Sequence, residues 1–162
     1  MFSAQSALAY NLLGGKQKTT DIKVVKKATF KSTHGSVLTD ALFDWIDSSN
    51  PLKFTVYSSG GGHIYIGGGN LGNNDTLATT YNYREYIFWG DYTDSVIELN
   101  YDEYDSLSSY DRKGTMAHEI GHALGLDHDN ANRYVVMCQL GSGRLVNKPQ
   151  SDDLNGVSYL YN

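Results

Sequence analysis

The sequence predicts an α+β domain: strand-like segments and one helix occupy its first two thirds, and two helices joined by irregular chain occupy the rest. No internal repeat divides it. At 162 residues, 40% hydrophobic and 19% charged, the chain suits a single domain with one core over residues 1–162.

Taken in order, Ile22–Val25 is the first strand candidate, built of β-branched residues. The lysines between positions 16 and 31 are thinly spread and read as a solvated face. Gly35–Ser48 has helical periodicity, with Val37, Leu38, Ala41, Leu42, Trp45 and Ile46 on one stripe, and Asn50-Pro51 stops it. Phe54–Tyr57 and His63–Ile66 are the next strands, and the glycine runs Gly60–Gly62 and Gly67-Gly68-Gly69-Asn70 beside them read as loops. Leu77–Tyr83 and Val96–Asn100 complete the strand candidates.

The second helix runs from about Ser108 to Leu124. Ser108 or Ser109 caps it, Asp111 complements its dipole, and Gly125 ends it. Asp127–Gln150 has no periodicity and contains Gly141, Gly143, Asn147 and Pro149. The third helix begins at Ser151 as cap, with Asp152 and Asp153 just inside and Leu154, Val157, Leu160 and Tyr161 on one face.

Several function classes are disfavoured. A net charge of −5 and an isoelectric point near 5.4 speak against a nucleic-acid partner. No apolar run approaches the roughly 18 residues needed to span a bilayer, so no membrane partner is expected. Cys138 is the sole cysteine, which excludes an internal disulfide, and it reads as a small buried hydrophobe. The start, Met1-Phe2-Ser3-Ala4-Gln5, lacks the pattern of a secretory signal, so an export signal would lie outside this chain.

The chemistry concentrates in His118-Glu119-Ile120-Gly121-His122-Ala123-Leu124-Gly125-Leu126-Asp127-His128. Residues four apart on a helix share a face, about 5–6 Å apart at Cβ, so His118 and His122 can reach one Zn²⁺. On a straight helix six further residues would carry His128 about 9 Å along the axis. The chain must turn back, and Gly125 permits it, because glycine adopts positive φ without steric cost. Glu119 is rotated by about 100° from His118 and sits beside the metal instead of on it. Three neutral imidazoles leave zinc its full charge and an open position for an acidified water, whose proton Glu119 would accept as general base.

The spacing His-Glu-x-x-His-x-x-Gly-x-x-His, followed by Met137 in Val135-Val136-Met137-Cys138, matches the metzincin signature. Within that group the chain resembles a compact matrixin, or matrix-metalloproteinase-like, catalytic domain over roughly residues 8–161. Ala41-Leu42-Phe43-Asp44-Trp45 and Asn50–Thr55 are similar to the first matrixin helix and the strand after it, and Gly62–Ile66 to the next strand. Asp75–Thr80 resembles the strand that borders the cleft, Val96–Asn100 the strand that follows, and Ser151–Tyr161 the closing helix.

The resemblance implies a twisted, mostly parallel five-stranded sheet with an antiparallel edge strand, an active-site helix, a Met-turn and a C-terminal helix. An upper part would span about 8–125 and a lower part about 126–162. It implies a secreted, monomeric endopeptidase with one catalytic zinc, Met137 as an apolar pedestal, and Asp152 and Asp153 as structural supports. A protein or peptide substrate would lie extended along Leu77, Ala78, Thr79 and Thr80. Side-chain preference would come from the chain after Met137.

Some positions depart from the family pattern. Asp129 follows the third histidine where matrixins usually have serine, and the segment from Gly67 to Asp75 lacks the His-x-Asp ligands of a structural zinc. Gln139 replaces the tyrosine ligand of some metzincins, and no propeptide cysteine motif is present. Asp75, Asp91 and Asp94 are candidate calcium ligands, set against the commoner case of solvated loop carboxylates. His34 and His63 read as structural. Two other readings keep the zinc: a non-catalytic module that binds extended peptides, and a hydrolase of small amides or esters.

Overall fold

The computed structural model describes residues 10–85 and 90–162; the amino-terminal Met1–Gln5 reading lies outside the described residues. Five strands form one sheet: β1 (Asp21–Lys26), β2 (Lys53–Tyr57), β3 (Ile64–Gly69), β4 (Ala78–Arg84) and β5 (Tyr92–Asn100). Their order is β2-β1-β3-β5-β4, all parallel except β4, which pairs antiparallel with β5 at the edge. The helices are α1 (Gly35–Asp44), α2 (Tyr101–Tyr104), α3 (Ser109–Leu124) and α4 (Ser151–Tyr161). This is the α+β arrangement with an antiparallel edge strand that the resemblance implies.

β1 alternates on its inward side through Ile22 and Val24, which meet Leu38, Trp45, Ile64 and Ile66 in the core. α1 and α3 pack on one another, and Trp45 locks them together by donating its indole N–H to the Ala117 carbonyl (3.0 Å). Among the described residues no helix is long and apolar enough to cross a membrane.

The structure corrects three details and adds a fourth element. Gly67–Gly69 is not loop but the end of β3, paired with Glu98–Asn100. Gly67 and Gly68 are needed for close approach, because a Cβ on Gly67 would overlap Thr29 Oγ1 and one on Gly68 would overlap the Leu99 carbonyl and come within 2.7 Å of the Tyr101 ring. α1 stops at Asp44 instead of Ser48, tightening into i→i+3 bonds at Trp45 and Ile46, which turns Ile46 out to solvent. The cap of α4 is Gln150, one residue before Ser151, in a reciprocal capping box with Asp153. The short α2 continues directly from β5, capped by Asn100, whose side chain accepts from Asp102 N.

α3 begins at the Ser108 cap, whose hydroxyl accepts from Asp111 N (3.1 Å), and ends at Gly125 with φ 110°. A Cβ at Gly125 would overlap the Gly15 carbonyl, so both its handedness and its close contact require glycine. The amino-terminal segment runs along this turn: Leu13 N donates to Gly125 O (2.9 Å) and Asp127 N to Asn11 O (2.9 Å). Buried Gln17 ties the segment to β5 and α3 through Ser95 Oγ (2.7 Å) and Ala123 O (2.8 Å).

Candidate active site

α3 presents His118 and His122 from successive turns, and the left-handed turn at Gly125 returns the chain so that His128 faces them. The Nε2 atoms of His122 and His118 are 3.1 Å apart, and those of His122 and His128 are 3.0 Å apart. Among the described residues these three form the one group of three or more potential ligands whose donor atoms lie within 4.8 Å of one another. Among the described residues Asp75, Asp91 and Asp94 belong to no such group of His, Cys, Asp or Glu side chains.

Backbone carbonyls set the tautomers. The Nδ1–H of His118 donates to Val136 O (2.8 Å) and that of His122 to Leu126 O (2.8 Å). The Nε2 atoms of His118 and His122 then each carry a lone pair, and these face one another and the Nε2 of His128. Such a cluster of acceptors fits a cation at its centre. For tetrahedral zinc with Zn–N near 2.05 Å, neighbouring nitrogens stand roughly 3.3 Å apart, close to the separations observed. Burial pushes the His118 imidazole well below its ordinary pKa and that of His122 down to about 4, so both imidazoles are neutral at neutral pH.

Glu119 is buried beside the triad. The Thr80 hydroxyl on β4 lies 2.6 Å from its Oε2 and 3.0 Å from its backbone carbonyl. Burial raises the Glu119 carboxyl to about 7, against the opposing pull of the Thr80 hydrogen bond and of Arg144. Its pKa is thereby brought near that of a group exchanging protons at neutral pH.

Met137 lies under α3, buried against Gly121, where a Cβ would overlap its Sδ. Asp153 braces this turn: its carboxylate accepts from Val136 N (2.9 Å), Met137 N (3.2 Å) and Gln150 N (2.8 Å). Asp152 makes no such contact. It faces Asn132 Nδ2 at 3.5 Å, because only the third residue of the helix points back across the capping box. Cys138 is buried and free.

Leu77 precedes β4, and its carbonyl accepts from Asn100 N (3.0 Å). In an antiparallel pair the bonded residues alternate, so Ala78 and Thr80 turn their backbone groups to the free edge while Thr79 faces β5. The cleft between β4 and the triad is lined by Leu13, Ala78, Thr79, Thr80 and Gln139 together with the three histidines. It shares Ala78, His118, Glu119 and Gln139 with a second cavity of about 410 Å³ that also reaches Thr115 and Arg144.

His34 and His63 are both remote from the triad. His34 is buried on Asp105 (2.8 Å), and His63 accepts from Lys23 N (2.9 Å).

Several site residues escape the sequence reading. Asn11 donates to the His128 carbonyl (2.7 Å) and Asn82 to the His122 carbonyl (3.0 Å). Asn100 organises the loop before β4 by donating to Gly72 O (2.8 Å) and Thr76 O (3.0 Å). Gly114 and Gly121 carry a signal, as glycines within a helix that would otherwise disfavour them.

Comparison with curated protein sequences finds no match. A family model described as matrixin matches residues 7–162, which takes in the sheet, the triad, the Met137 turn and α4. The chain therefore belongs to the matrixin family of zinc-dependent metallopeptidases.

Proposed function

We propose that this chain is an exported endopeptidase that cleaves internal bonds of extended polypeptides, with Glu119 as its general base. The observation that carries the reading is the convergence of three imidazole Nε2 atoms beside a buried carboxyl group, at the floor of a cleft bordered by an edge strand. Held by His118, His122 and His128, zinc supplies a positive charge that acidifies water and polarises a carbonyl. Glu119 takes the proton from the attacking water and passes it to the departing amine, held in place by the Thr80 hydroxyl. Ala78 and Thr80 offer unpaired backbone donors and acceptors to a substrate strand, which gives affinity independent of sequence.

Around this chemistry, Met137 and Asp153 hold the turn that carries the Val136 carbonyl, and that carbonyl fixes the His118 ring. Gly125 serves the same purpose for His128. The test is hydrolysis of an unfolded protein by the zinc-loaded chain, with and without a chelator, alongside Glu119→Ala. Cleavage is expected to stop with the chelator and to fall by about 10²–10⁴ in Glu119→Ala, with zinc still bound. Undiminished cleavage by Glu119→Ala would overturn the assigned base. Zinc binding without hydrolysis by the native chain would favour a non-catalytic peptide-binding module.

A further inference from the structure

Arg144 is a buried cation without a matching anion. Its side chain is only 7% exposed, yet it makes no ion pair among the described residues. Its guanidinium has two hydrogen bonds, both long and both to neutral acceptors: the Cys138 carbonyl (3.3 Å) and the Thr115 hydroxyl (3.2 Å). Burial lowers its pKa, and Asp111, the carboxylate with the strongest pull on it, stays out of contact and instead accepts from the Ser108 hydroxyl (2.7 Å). A guanidinium so placed retains unused donors in a fork suited to a carboxylate, and leaving a buried charge unpaired is costly.

The fold holds this cation rigidly at the cavity. On either side of it, Arg133 Nε donates to Gly143 O (2.7 Å) and Leu145 N donates to Arg133 O (2.8 Å). The missing side chain of Gly114 makes room for it, since a Cβ there would come within 3.0 Å of Nη2. The guanidinium thus lies against α3 at the level of Gly114 and Thr115, about one helical turn, or 5.4 Å, before His118. The same cavity of about 410 Å³ is also lined by His118 and Glu119, and its volume is sufficient for a substrate side chain.

We propose that this cavity receives the side chain of the substrate residue flanking the scissile bond, and that Arg144 makes it select a carboxylate, directing cleavage next to glutamate or aspartate. The proposal rests on the endopeptidase reading. A substrate carboxylate completes the fork of Arg144 with charge-assisted hydrogen bonds, whereas an apolar side chain leaves the buried charge unpaired.

The zinc-loaded native protein is tested on a library of proteome-derived peptides, with cut sites read by mass spectrometry. Three synthetic peptides follow, alike except for Glu, Gln or Leu at the flanking position. The expected result is enrichment of acidic residues on one side of the cut and kcat/KM about 10–100-fold higher for Glu than for Gln. In Arg144→Gln the Glu preference should disappear while the Gln and Leu peptides are still cut. Arg144→Lys should keep part of it, which separates a loss of charge from a loss of structure. Chelator-sensitive cleavage that favours Leu, or a Glu preference unchanged in Arg144→Gln, would overturn the role of Arg144 alone. No chelator-sensitive cleavage anywhere in the library would overturn the endopeptidase reading and this proposal with it.

Discussion

Replacing Gly121 by alanine adds one methyl group to the face of α3 that rests on the Met137 turn, between His118 and His122. The new Cβ would overlap Met137 Sδ and stand 2.9 Å from Trp45 Cζ2. The second contact is roughly 0.6–1.1 Å shorter than a relaxed carbon–carbon distance. The Met137 side chain could swing aside in a loose core, but it is 2% exposed and Trp45 is fully buried. Trp45 is also held by its bond to the Ala117 carbonyl on the same helix, so it cannot withdraw without losing a buried hydrogen bond.

Overpacking of this kind costs about 1–3 kcal/mol, with the overlap here placing it in the upper half, and alanine returns about 1 kcal/mol of helix propensity. The net expectation is about 1–2 kcal/mol of lost stability, or a Tm roughly 2–8 °C lower. Zinc affinity should fall as well, since Met137 displaced downward carries the Val136 carbonyl away from His118 Nδ1. Urea unfolding of the native and variant proteins gives the first quantity, and competition with a chromogenic chelator the second. Gly35→Ala is the control: at φ −61°, with open space around a Cβ, it should leave both unchanged or slightly improved. A Gly121→Ala protein as stable as the native one would show that the floor of the site is not tightly packed.

Asp153→Ala should cost about 2–4 kcal/mol and weaken zinc binding, because it strands the Val136, Met137 and Gln150 amides, and equilibrium unfolding checks it. Thr80→Val should reduce kcat/KM about tenfold at unchanged zinc content, through loss of the hydrogen bond to Glu119; an unchanged rate would remove Thr80 from the machinery. The pKa of His34 is lowered, first by burial and against the pull of Asp105, so folding favours its neutral form. Stability from this group is full above its unfolded value near 6.5 and is lost as pH falls below that toward the folded value. His34→Gln should therefore lose less stability than the native protein between pH 7.5 and 5, and equal losses in urea midpoint would contradict it.

Wherever local chemistry sufficed, the sequence was legible. The helix carrying His118 and His122 follows from periodicity, the Ser108 cap and the Gly125 stop, and the return of His128 follows from glycine alone being suited to φ 110°. Local pattern and structure part company where a distant neighbour decides the outcome. Gly67–Gly69 looks like loop until it pairs with β5, where Thr29, Leu99 and Tyr101 crowd Gly67 and Gly68 and leave no room for side chains there. Ile46 shares the helical stripe of α1 in sequence, but the chain tightens one turn too soon for it to reach the core. Asp152 and Asp153 look equivalent in sequence, and only the capping box distinguishes them.

The sequence by itself determined the donor set, three imidazoles and a carboxylate whose spacing is a property of one helix and one glycine. Tertiary structure alone decided what surrounds that set, because Thr80, Asn11, Asn82 and Arg144 reach the site from 16 or more positions away along the chain. No local pattern records such contacts. They exist only once the sheet, α3 and the chain after Met137 have packed, and it is this packing that leaves the Arg144 charge facing the cavity beside Glu119.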